Sequence, residues 1–113
     1  MSSVLQSLGQ LHVVHGSITG GDTLASNDGS LTLTDTGTGD WTVNFGQAFL
    51  SAPTVVVTPV VATVAATLVY EATVASVTAT DANIITRTYL QNGTVAAAAD
   101  VNVNFVVVGL RNN

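Results

Sequence analysis

The chain predicts an all-β protein, and three observations predict it. Valine and threonine together supply 36 of the 113 residues. β-Branched side chains fit a pleated, half-buried surface and are poor helix formers. Apolar and polar residues also alternate in short runs, separated by clusters of Gly, Asp and Asn, which is the pattern of strands joined by turns. Charged residues make up only 8% of the chain, against about 25% in typical soluble domains. A chain this poor in charge is expected to set part of its mildly apolar surface against another protein.

At 11.5 kDa there is room for one core. Residues 1–10 read as an N-terminal arm and residues 11–113 as a single β-sandwich domain. The first strand is expected over 11–18. From Thr19 to Gly29 turn formers dominate, so a loop is expected. Residues 30–36 alternate, with Leu31 and Leu33 on one side. After Thr36-Gly37-Thr38-Gly39-Asp40, the run Trp41-Thr42-Val43-Asn44-Phe45 alternates again and places Trp41, Val43 and Phe45 on the core.

A strand bounded by Pro53 and Pro59 follows, and Pro59 marks a bend or an edge because it cannot donate to a central ladder. Residues 68–80 and 82–90 carry two more strands, turning around Asp81-Ala82-Asn83. Asn92-Gly93 is a strong hairpin signal. Residues 96–99 are the one helix-friendly tetrad, too short to stand alone. Residues 101–110 form the last strand, with Val101, Val103, Phe105 and Val107 sharing a face. Its other face starts polar, at Asn102 and Asn104, and ends apolar, at Val106 and Val108. Residues 55–57 and 60–61 are apolar on both sides in the same way. A small two-layer sandwich cannot cover both faces of several strands, so a subunit interface is expected there.

Composition also excludes. The net charge is −5, with no lysine and no basic cluster, which argues against nucleic acid and anionic membranes as partners. There is no cysteine, hence no thiolate or disulfide chemistry. The first residues show neither a basic segment nor a long apolar one, so no signal peptide is expected.

The candidate chemistry is sparse. His12 and His15 are three apart, which on a strand puts them on opposite faces and prevents joint chelation. Asp22, Asp28, Asp35 and Asp40 could offer oxygens to calcium, but their Gly- and Thr-rich surroundings read first as ordinary turns. Glu71 has no acid or base partner nearby in sequence and reads as an interface residue, paired with Arg87 of the same or a neighbouring chain. Trp41 reads as core, not as a sugar platform. Tyr70 and Tyr89 are expected as exposed aromatic contacts. Asn92-Gly93-Thr94 fits a glycosylation sequon and, more simply, a turn. No nucleophile pair, phosphate-cradling loop or Gly-x-Ser-x-Gly stretch is present. No catalytic, cofactor or metal residue is assigned, and no enzyme is expected.

A wider pattern runs from Trp41-Thr42-Val43-Asn44-Phe45 through Phe49 to Pro53-Thr54-Val55-Val56-Val57. It continues with Val74-Ala75-Ser76-Val77-Thr78 and Asn83-Ile84-Ile85-Thr86-Arg87-Thr88, and closes on Asn104-Phe105-Val106-Val107-Val108-Gly109. In about 70 residues this resembles the H-type lectin fold and its relatives among phage fibre and head-decoration proteins. The resemblance implies an antiparallel β-sandwich of about six to eight strands that trimerises. It implies a viral structural protein, made in the host cytoplasm and carried in the virion, which decorates and cements the capsid with itself and the major capsid protein as partners. Residues 1–10, with Val4, Leu5, Leu8 and the adjoining Leu11, would then be a strap that orders on docking. The alternatives are a fibre-tip module holding host glycans, with Asp22, Asp28, Asp40 and Tyr89 as first suspects, or a minor tail or neck protein. The polar and charged residues with which H-type lectins hold sugar have no counterpart here, and no sugar site carries over.

Overall fold

The computed structural model describes residues 9–19, 22–61, 65, 67–90, 92 and 96–112. The expected arm, residues 1–10, falls almost entirely outside them. Nine strands follow in order: β1 Gln10–Thr19, β2 Thr23–Ser26, β3 Thr32–Gly37, β4 Asp40–Asn44, β5 Thr54–Pro59, β6 Leu68–Val77, β7 Asp81–Leu90, β8 Ala96–Ala98 and β9 Val103–Arg111. They form two antiparallel sheets. The first has the order β2-β1-β9-β5 and the second the order β3-β4-β7-β6, with β8 also pairing β7.

The inner faces meet in one core of Val14, Ile18, Leu31, Trp41, Val43, Phe45, Phe49, Ala82, Ile84, Val103, Phe105 and Val107. Alternation chose these residues. Trp41, Val43 and Phe45 point inward from β4 and its end, as their spacing predicts, and Val101, Val103, Phe105 and Val107 are all buried. In the first sheet Val14, Val107 and Val55 form one inward row, and Gly16, Phe105 and Val57 the next. Gly16 has to be glycine: a Cβ there would stand 2.5 Å from the Phe105 ring and 2.4 Å from the Ala25 carbonyl oxygen.

Three expectations need correction, and the alanine tetrad, too short to stand as a helix, is resolved. The loop expected over residues 19–29 contains β2, which pairs with β1 from Gly16–Ser26 to Thr19–Thr23. Four residues are too few for alternation to stand out among turn formers. Beyond β2, Asn27 continues the ladder with its side chain: its Oδ1 accepts the His15 amide at 2.8 Å and its Nδ2 donates to the Val13 carbonyl at 3.2 Å. The β6–β7 turn lies at residues 78–80, ahead of Asp81. There the Thr78 hydroxyl accepts the amides of Thr80 and Asp81, at 3.2 and 3.1 Å, and closes the chain earlier. The alanine tetrad supplies β8, whose Ala96 and Ala98 pair with Tyr89 and Arg87. Finally, nine strands stand where six to eight were expected.

Thr86 makes the junction between β4 and β8 possible. Both lie along the same edge of β7, β4 against residues 81–85 and β8 against residues 87–89. Between them the Thr86 amide donates to the Gly39 carbonyl at 2.8 Å. The buried Thr86 hydroxyl donates to the Ala99 carbonyl and accepts the Val101 amide at 3.2 Å. Pro59 ends β5, which is an edge strand of its sheet, where a residue without an N–H is tolerated.

Candidate functional site

The two sheets differ most on their outer faces. On the second sheet the outward rows are polar: Thr32 with Asn44 and Asp81, then Thr34 with Thr42 and Asn83. Farther along, Asp40 stands opposite Ile85 and Glu71 opposite Arg87. Ionised and hydroxyl groups thus interrupt this face, with Ile85 and the exposed Val69 among them.

The first sheet is its opposite. Strand register sets outward rows of Leu11 with Leu110, then Val13 with Val108 and Thr54, then His15 with Val106 and Val56, then Ser17 with Asn104 and Thr58. Leu11 is 67% exposed, Val56 57%, Val13 53%, Leu110 45% and Val106 38%. Isolated apolar residues on a surface are ordinary, whereas a contiguous cluster of them marks an interaction site. None of the seven carboxylates and two guanidiniums lies on these rows. Below the apolar rows the face dips into an open hollow of about 620 Å³, whose lining includes His15, Ser17, Ala25, Asn27, Asn104 and Val106.

The expectation of strands apolar on both sides is met by Val56 and Val106, which a single subunit leaves uncovered. Val55 and Val57 supply the other apolar side of β5, packing against the core from its edge.

A second feature escaped sequence reasoning. Arg111, at the end of β9, is only 3% exposed. Its Nη1 donates to Asp28 Oδ2 at 2.8 Å and its Nη2 to the Phe45 carbonyl at 3.3 Å. Its guanidinium lies 4.2 Å from the centre of the Phe49 ring, which meets Phe45 edge-on at 5.1 Å. Asp28 Oδ1 also accepts the Ser30 amide and hydroxyl, at 2.9 and 2.7 Å. Burial pushes the Asp28 carboxyl up, but the hydrogen bonds from Ser30 and Arg111 outweigh it and hold the group below the usual carboxylate range. The pair fastens the β2–β3 connection to the end of the chain. It is a structural clasp, and Asp28 is thereby committed to an internal partner.

The other candidates lie apart, except that Asp22 and Asp35 meet. His12 and His15 stand on opposite faces of β1 as their spacing requires; His12 lies beside Asp28 and Arg111, while His15 is on the outer face. Asp40 accepts from Asn83 Nδ2 at 2.7 Å, and hydrogen bonds from Thr36 and Asn83 keep its carboxyl below the usual range. Asp22 is raised instead, chiefly because it shares a hydrogen bond with Asp35. Among the described residues no three of His, Cys, Asp and Glu form a group able to hold a metal ion.

Glu71 and Arg87 are cross-strand partners, yet Glu71 accepts from the Thr73 hydroxyl at 3.1 Å, and the ion pair found among the described residues is Arg111 with Asp28. The expected pairing within one chain is thus not made. Trp41 is buried in the core. Tyr70 and Tyr89 are half-buried, not freely exposed, and the Tyr70 hydroxyl accepts the Ala65 amide at 3.2 Å. No helix among the described residues is long and apolar enough to cross a membrane. No family model, no curated protein and no solved structure matches this chain.

Proposed function

We propose that this chain is a virion structural protein, a decoration protein that packs as trimers on a capsid and cements it. One observation carries the reading. The outer face of the β2-β1-β9-β5 sheet carries a contiguous apolar cluster with no carboxylate or guanidinium, whereas the outward rows of the opposite sheet carry Asp40, Asp81, Glu71 and Arg87 beside Ile85 and Val69. A catalyst needs convergent reactive groups, and the clustered polar side chains here serve turns, ladders and one clasp. A subunit needs a surface that gains by being covered, and burial of apolar area supplies that gain at about 25 cal/mol per Å². Repetition over a shell turns modest contacts into large collective stability.

The rival reading, a module holding glycans, draws less support. Its first suspects do not converge: Asp28 is held by Arg111 next to Phe45, beyond the end of β4, whereas Asp40 opens that strand and Tyr89 lies near the end of β7.

Particles assembled with and without the protein test the proposal. Electron microscopy after heating or dilution into low salt should show that particles lacking it lose their shells first. Equal survival would overturn the cement role, and binding of the isolated chain to a glycan array would favour the rival.

A further inference from the structure

We infer that the outer face of the β2-β1-β9-β5 sheet is where copies of this chain meet, with the row His15, Val106 and Val56 at the centre of the contact. The inference deepens the proposed assembly role and names the occupant of its main surface: a second copy, not the shell.

Charge favours a copy. Each chain carries a net charge of −5, so copies repel wherever carboxylates face one another. Asp40, Asp81 and Glu71 place such groups on the second sheet, and Asp22, Asp28 and Asp35 lie in or beside the connections around β2 and β3. The first sheet's outer face is free of that penalty. An unlike partner is ordinarily selected and oriented by complementary charge, and these rows offer none. A copy requires none, since an uncharged apolar face complements its own kind.

Size bears on the contact as well. Two long strands and the six-residue β5, about 4.8 Å apart with a rise of about 3.3 Å per residue, give a face of at most roughly 15 by 30 Å. That is about 450 Å² in projection, which places the contact among small interfaces, below the roughly 800 Å² that each partner gives to a standard one. The chemistry is ordered to match: the row of Leu11 and Leu110 is wholly apolar, and the row of Ser17 is polar, as at the rim of an interface.

Light scattering on the isolated full chain, at tens of micromolar, reads the mass directly. Wild type is expected above the mass of one chain, 11.5 kDa, and Val56→Asp and Leu11→Asp at the mass of one chain. Both positions are exposed, so far-UV circular dichroism and the melting curve of each variant should show a folded sheet. Val69→Asp, exposed on the second sheet, should keep the wild-type mass.

A monomeric wild type would overturn the inference, as would Val56→Asp and Leu11→Asp variants that stay associated. Loss of association in Val69→Asp alone would also overturn it, by moving the contact to the other sheet. Particle binding separates this from the decoration role. Monomeric Val56→Asp that still attaches to particles supports the assignment of this face to copies. Wild-type oligomers that fail to attach to particles or protect them would sink the decoration role and leave the copy contact standing.

Discussion

At the scale of single residues, the Arg111–Asp28 clasp and Thr86 carry the sharpest expectations. Removing the Asp28 charge strands a buried guanidinium, whereas removing Arg111 leaves a carboxylate that is a fifth exposed and can be rehydrated. Asp28→Asn is therefore expected to cost about 1–3 kcal/mol in urea unfolding, and Arg111→Met less. The sign of the pH dependence follows. Asp28 sits below the ordinary carboxylate value of 3.8 in the fold, so its contribution is complete above about pH 4 and is lost as pH falls through the folded value. Unfolding curves recorded from neutral pH downward should show that acid limb in wild type and a shallower one in Asp28→Asn. Thr86→Val keeps the volume but removes both hydroxyl bonds and leaves the Val101 amide unpaired in the interior. About 1–3 kcal/mol of lost stability is expected.

At the scale of elements, alternation was the legible signal. It marked β3, β4 and β9 and the inward faces of Leu31, Trp41, Val43, Phe45 and Phe105, because burial of one face writes itself into every second residue. It was silent about β2, whose four residues are held by pairing with β1 and by the Asn27 side chain, not by a pattern of their own. Ala96–Ala98 was ambiguous for a related reason: alanine serves helix and strand alike, and β7 decided the matter by offering an open edge. Arg111 was invisible as a core residue because its partner lies 83 positions away in the chain. Gly16 shows how local composition hides a tertiary need. Gly16→Ala would push a methyl group against the Phe105 ring and the Ala25 carbonyl, with an expected loss of about 1–3 kcal/mol and a lower melting temperature.

At the scale of the whole molecule, what matters is the contrast between a wet sheet and a bare one. The scarcity of charge announced an uncovered surface, and Val106 and Val56 were legible as parts of it. The composition did not say that the carboxylates and guanidiniums would all keep off this outer face, since that depends on strand order. The contrast has a measurable consequence. Association through a face without ions should be insensitive to salt, or slightly strengthened by it, between about 0.05 and 1 M, whereas ion pairs would be screened over the same range. Sedimentation at a fixed protein concentration across that range checks it, and dissociation by salt would speak for charged contacts instead.

Asn27 gives this arrangement a stopping rule. Its amide group holds the Val13 carbonyl and the His15 amide where β2 has ended, and Pro59 withholds a donor at the end of the opposite border strand, so each margin of the bare sheet is partly denied to a stranger's backbone. Growth sideways into ribbons, the common fate of greasy β-proteins with open borders, is hindered where these two residues stand. Contact through the face instead consumes the sticky surface as it proceeds, which limits the number of participants.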